Sequence, residues 1–122
     1  MIEREMMDQS QLILTEYGLD ALAAVLHETA IEKGFWDGTI SYDKVGNKLA
    51  LVHSEVTEVL EAIRKNKGEA EITKEFADIL IRTLDLYAGA AKAGYTRLSL
   101  DQALREKIEF NKTRPEKHGV RF

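Results

Sequence analysis

From Leu19 onward, apolar residues recur at intervals of three and four, which is the period of a helix. The first run is Leu22, Val25, Leu26 and Ala30, and Gly34 after Lys33 supplies a C-terminal stop. Asp37, Gly38 and Ser41 are turn formers, so residues 35–42 are expected to form a loop. A second helix is expected from near Asp43 to about Asn66. Its apolar face is read as Leu49, Val52, Val56, Val59, Leu60 and Ile63, with Gly68 ending the region. A third runs from about Glu71 to Ala93 and is capped by Gly94. A fourth starts at Ser99, where Ser99-x-x-Gln102 has the form of a capping box. It should end near Lys112, because Pro115 disfavours helix at Arg114. Before Gly18 the pattern is hard to read: Leu12, Ile13 and Leu14 suit either a helix start or an irregular arm.

The third helix has the broadest apolar arc. Phe76, Ala77, Leu80, Ile81, Leu84, Tyr87, Ala88 and Ala91 and their apolar neighbours cover roughly 220° at about 100° per residue. A surface helix needs little more than 100°. Burial on two sides is therefore expected, by a central position, a subunit interface, or both. The expected fold is all-α: one domain over residues 1–122, a four-helix bundle-like protomer completed by assembly into a homodimer or homotetramer. Residues 1–18 are set apart as an N-terminal segment and residues 113–122 as a basic tail.

Composition narrows the function classes. The 122 residues are 44% hydrophobic and 31% charged, which suits a globular domain. Aromatics at 7% and a single proline argue against a β-sandwich or barrel. With no cysteine there is no disulfide scaffold, thiol nucleophile or cysteine-based zinc site. The acidic residues among Met1–Ser10 are wrong for a signal peptide, and no apolar run approaches the ~20 residues that span a bilayer. A cytoplasmic protein with no membrane partner is expected. The net charge of −4 also argues against a nucleic-acid polymer as partner. That charge is uneven. Residues 105–121 carry six cations against three carboxylates, a net +3, which leaves −7 for the rest.

The carboxylates are arranged more informatively than their number suggests. Glu55, Glu58 and Glu61 are spaced by three on the second helix. On a helical wheel Glu55 falls inside the apolar arc and Glu58 at its edge. A carboxylate aimed into apolar packing is costly unless it is paired or bound to metal. The third helix leaves a narrow polar strip of Glu75, Asp78, Arg82 and Asp85. Taken alone, that strip is an ordinary solvated face, with Arg82 four residues after Asp78 to balance it. Two antiparallel helices joined near Gly68 would bring Glu55, Glu58, Glu75 and Asp78 together. Four oxygen donors suit Mg²⁺, with Mn²⁺ as an alternative.

The segment Leu51-Val-His-Ser-Glu55-Val-Thr-Glu58-Val-Leu-Glu61, followed by Glu75-Phe-Ala-Asp78, resembles the MazG-type all-α nucleoside triphosphate pyrophosphohydrolases. Their signature is Glu-Glu-x-x-Glu, a gap, then Glu-x-x-Asp. Lys33-Gly-Phe-Trp-Asp37 and Asn111-Lys-Thr-Arg114-Pro-Glu-Lys-His118-Gly119 resemble the flanks of small, phage-type members. The likeness spans about residues 22–122. It implies hydrolysis of a nucleoside triphosphate between the α and β phosphates, deoxynucleotides included. It also implies Mg²⁺ held by Glu55, Glu58, Glu75 and Asp78. Ser54 stands where the signature has its first Glu, which leaves the general base unassigned, with His53 and Glu61 as candidates. The alternatives are a related helical dUTP or phosphoribosyl-ATP pyrophosphohydrolase, or a nucleotide-binding module without catalysis.

Other residues admit two readings each. Trp36 is either a loop anchor on the core or a stacking surface for the base. Lys107, Asn111, Lys112 and Arg114 either contact phosphates or form salt bridges elsewhere. His27 lies off the leucine stripe of its helix, which suggests a surface histidine or one that supports the site from behind, not a metal ligand. Gly46-Asn47-Lys48 lacks the frame of a phosphate-binding P-loop.

Overall fold

The computed structural model describes residues 18–38 and 40–115. Leu12–Leu14, and Lys117, His118 and Arg121 of the basic tail, lie outside the described residues. Among the described residues the secondary structure is helical: α1 (Leu19–Glu32), α2 (Tyr42–Arg64), α3 (Glu69–Lys92) and α4 (Leu100–Lys112). No strand occurs among them, as the apolar period predicts.

The helix ends show why the chain turns where it does. After α1, Gly34 takes φ 84° and donates to the Ile31 carbonyl at 3.0 Å, while the Phe35 amide donates to Ala30 at 3.0 Å. This left-handed closure satisfies carbonyls that the helix leaves open. The end of α2 repeats it with Asn66 at φ 53°: the Asn66 amide donates to Ile63 at 3.2 Å and that of Lys67 to Ala62 at 3.0 Å. Asn66, not Gly68, therefore closes the second helix. Gly68 is the residue preceding α3. At α4 the Ser99 hydroxyl accepts from the Gln102 amide at 3.1 Å, but the Gln102 side chain turns to Glu106 at 3.0 Å, so the capping box is one-sided. Asp20 of α1 completes the cap. It accepts from the Leu100 amide at 2.8 Å and also takes the Ser99 hydroxyl, pinning α4 to the start of α1.

α3 is the central helix. It packs along α1 on one side and α2 on the other, while α4 rests mainly on α1. The arc is covered on two sides within the protomer, but Phe76, Leu80 and Ile81 remain roughly half exposed or more. Trp36, Val45 and Leu86 form the buried cluster, with Ala30, Ile40, Val52, Ala90 and Ala93 packed around it. Trp36 lies so close to α3 that a Cβ on Gly89 would stand 2.6 Å from its ring. Only glycine at that position permits the approach, which accounts for a glycine inside a helix despite its propensity cost.

Two expected faces need correction. On α2 the inward stripe is Val45, Val52, Glu55, Val59 and Ala62, whereas Leu49, Val56, Leu60 and Ile63 are each about half exposed. On α1 the inward face is Ala23, His27 and Ala30, not the leucine stripe alone. Small residues let the helices approach closely, and the larger apolar side chains then fall on either side of the contact.

Candidate metal and nucleotide site

A cleft of about 470 Å³ opens between α1, α2 and α3. Its acidic wall is Glu55 and Glu58 from α2 with Asp78 and Asp85 from α3. Lys33, Phe35, Lys48 and Arg82 also line it, and Lys48 lies 5.0 Å over the ring of Trp36, whose Nε1 donates to Asp85. The polar strip of α3 thus faces a cleft; it is not an ordinary outer surface.

Three of the four carboxylates expected to converge lie close together. Oxygens of Glu55, Glu75 and Asp78 lie within 4.8 Å of one another. Glu55 is buried at 8% exposure, in keeping with its place in the α2 arc. Glu58 is exposed and stands outside this closest trio, but it lines the cleft and lies beside Glu75. Burial pushes the Glu75 carboxyl above its ordinary value. The charge of Glu58, a hydrogen bond shared with it, and the charges of Asp78 and Glu71 push it the same way. One Glu75 oxygen, Oε2, is buried and has no hydrogen-bond partner among the described residues. Buried polar atoms are rarely left unpaired, so a proton or a cation would suit this position. Hard oxygen donors without sulfur or imidazole are the set that Mg²⁺, Mn²⁺ and Ca²⁺ accept.

Arg82 is not the partner of Asp78 that its i,i+4 spacing suggested. Its Nε donates to Glu55 Oε1 at 2.5 Å, across to α2.

Behind the cleft, Asp85 Oδ1 accepts from His27 Nδ1 at 2.7 Å and from Trp36 Nε1 at 2.8 Å. His27 is only 1% exposed, so of its two expected placements the surface one is wrong and the one behind the cleft is where it lies. Its ring meets that of Trp36 edge-on at 5.0 Å, and its Nε2 has no partner among the described residues. Trp36 itself is 4% exposed. Of its two readings, the core anchor describes its placement, and its buried ring offers no open face to a base. The neighbouring Phe35, 59% exposed, is the aromatic residue at the cleft.

The remaining predicted residues lie elsewhere in the protomer. Lys107 and Arg114 approach the ring of Phe110, and Lys112 pairs with Glu109 at 3.0 Å. None of these, nor Asn111, lines the cleft. The same holds for the two candidate bases. His53 is exposed, and Glu61 pairs with Arg64 and Lys65 on its own helix.

A model of the MazG nucleotide pyrophosphohydrolase domain matches residues 43–118, well over half of the chain. The protein belongs to this family. Comparison with curated proteins and with solved structures gave no match. The MazG match takes in all of the carboxylates on α2 and α3 and begins at Asp43, after α1 and the Lys33–Asp37 segment. The cleft therefore joins two parts: an acidic wall inside the matched region, and Lys33 and Phe35 outside it. Sequence reasoning missed Lys48, Asp85 and Phe35 at the cleft. Lys48 had a signal that could have found it, since it lies two helical turns before Glu55 on the same face of α2.

Proposed function

We propose that the protein hydrolyses nucleoside triphosphates, deoxynucleotides among them, between the α and β phosphates, giving monophosphate and pyrophosphate. The observation that carries this reading is the convergence of Glu55, Glu75 and Asp78 from two helices around a buried, unpartnered carboxylate oxygen, in a chain of the MazG family. Glu55, Glu58, Glu75 and Asp78 would hold Mg²⁺. When bound, Mg²⁺ offsets the charge of the triphosphate, stabilises charge developing on phosphorus and lowers the pKa of a water molecule.

The protein's own groups do the rest. The carboxylates fix the position of the reacting phosphate by fixing its cation. Lys48, whose ammonium donates to the Phe35 carbonyl at 2.6 Å, and Lys33 place positive charge on the cleft lining. Leu26, Ala30, Phe35 and Ile81 supply an apolar wall for the nucleoside. The Asp85–His27–Trp36 network ties α3 to α1 and the loop beside the cleft.

Assembly as a dimer or tetramer is part of the proposal. A second hollow of about 480 Å³ lies between α1, α3 and α4, walled by Leu19, Leu22, Leu80, Leu84 and Leu104. An open apolar groove of this kind is a poor surface for a lone protomer and a good one for a second copy. The basic residues of α4 could then meet phosphates only across a subunit boundary.

Ser54, together with candidate bases that do not line the cleft, favours one second reading: a nucleotide-binding module without turnover. Pyrophosphate release from a panel of nucleotides with Mg²⁺ separates the two. Release from one or more nucleotides that disappears in Asp78→Ala supports the enzyme. Nucleotide binding without release supports the module. A dUTP-only or phosphoribosyl-ATP-only profile would place it with the related helical pyrophosphohydrolases.

A further inference from the structure

We propose that Arg82 is the phosphate-receiving residue of this cleft, and that one guanidinium both positions Glu55 and binds the triphosphate. The inference rests on the metal-dependent reading above and adds the residue that admits the anion.

Among the described residues, Arg82–Glu55 is the ion pair that ties α2 to α3. The contact is made through Nε alone. A guanidinium carries five N–H donors in one plane, so the terminal nitrogens keep four, and none has an acceptor among the described residues. The side chain is 40% exposed and lies on the cleft wall, whereas that of Glu55 is 11% exposed. One end of the group is thus fixed by a nearly buried carboxylate and the other is presented to the cavity.

The electrostatics require such a group. Glu55, Glu58, Asp78 and Asp85 line the cleft and repel a triphosphate. Of the other two cations on the lining, Lys33 and Lys48, Lys48 is already engaged by the Phe35 carbonyl and lies near Trp36 and Asp85. Arg82 is the cation set among the carboxylates, and its fixed fork matches phosphate oxygens two at a time. Because Nε is already held by Glu55, little side-chain freedom remains to be lost when phosphate binds. A lysine carries its three donors on a single nitrogen and lacks the planar fork that reaches two partners from separate nitrogens.

Competition between cations separates a phosphate contact from a merely structural one. Glu55 is shared between Arg82 and the proposed metal. Removing the guanidinium frees Glu55 Oε1, so affinity for a divalent cation alone should hold or rise. Affinity for the metal-bound polyphosphate should fall.

The test uses the full chain, with Arg82→Met and Arg82→Lys, and two calorimetric titrations. One follows Mn²⁺ alone and the other inorganic tripolyphosphate in the presence of Mg²⁺. For Arg82→Met the expected result is Mn²⁺ affinity equal to or above wild type, and tripolyphosphate affinity about ten- to a hundredfold weaker. Arg82→Lys, which keeps charge but loses the fork, should retain less than half of that affinity and serves if the Met variant does not fold. Unchanged tripolyphosphate affinity in either variant would overturn the proposal. So would a parallel loss of Mn²⁺ affinity, which would make Arg82 a support for Glu55 and nothing more. Wild-type protein that binds neither ligand would overturn the metal-dependent reading, and the role of Arg82 with it.

Discussion

The two hollows beside α3 are nearly equal in volume, about 470 and 480 Å³, and share Leu26 and Ile81 as a common wall. Their linings are opposite. One gathers four carboxylates, two lysines and an arginine. In the other, Thr83 is the sole polar residue among leucines, isoleucine and alanine. Size therefore says nothing about what either accepts. The charged cleft holds like charges close together and is relieved by ions and an ionic ligand. The apolar groove exposes hydrocarbon to water and is relieved by another apolar surface. A single helix serves both because its polar strip and its apolar arc point to different sides.

The largest expected effect removes the chemistry and leaves the groove intact. Glu58→Ala or Asp78→Ala should lower turnover about a thousandfold or more, since several kcal/mol of metal-derived stabilisation is lost. The hydrodynamic mass should stay that of the wild type. Steady-state kinetics beside light scattering would check both halves.

The buried anchor against α3 comes next. Trp36→Ala should cost about 3–5 kcal/mol of stability, as for other buried aromatics. Gly89→Ala, which forces a methyl group into the Trp36 ring, should cost about 1–3 kcal/mol. Denaturant titration measures these. A Trp36→Ala protein of wild-type stability but poor nucleotide affinity would restore the base-stacking role.

The converse of the first experiment is a charge in the groove. Leu80 is 64% exposed, so Leu80→Asp should leave the protomer folded while weakening its self-association by about tenfold or more. Leu84, only 7% exposed, is a poorer probe because a charge there would attack the fold itself. Light scattering that gives a 13.8 kDa wild-type particle at micromolar concentration would contradict the assembly.

A smaller effect concerns Glu75. Its folded pKa is raised, so the folded state holds the proton more tightly than the unfolded chain does. The resulting stability is present below the ordinary glutamate value and is lost as pH rises through the folded value. In metal-free protein Glu75→Gln should therefore raise Tm at neutral pH and flatten the pH dependence of stability. Mn²⁺ should raise the wild-type Tm more than that of the variant. Thermal melts across pH, with and without Mn²⁺, would show it. Smallest of all, Arg114→Ala should change kcat/KM by less than about twofold if α4 acts only within its own protomer. A tenfold loss would place α4 at a neighbouring subunit's site.

Much of this was legible in the residues. Apolar period and stop signals located four helices, and the arc of α3 foretold its central place. Glu55 could be read as inward-facing because it interrupts an apolar stripe, and that is where it lies. What escaped were contacts made across the fold. Asp20 caps a helix that begins 80 residues later, and no local pattern records that. His27 looked peripheral because leucines were taken to mark the core face of α1, whereas the face that packs toward Trp36 carries His27 and Ala30. Arg82 looked like a partner for Asp78 because wheel spacing sees one helix at a time. Charged residues that choose a partner on another helix are invisible to periodicity.

The central claim is a cut between the α and β phosphates by the acidic cleft. Phosphorus NMR of a deoxynucleoside triphosphate incubated with the protein and Mg²⁺ tests it most directly. The account predicts monophosphate and pyrophosphate appearing in equal amounts, with no diphosphate, and none of either product from Asp78→Ala. Diphosphate with orthophosphate, or equal turnover by the variant, would contradict it.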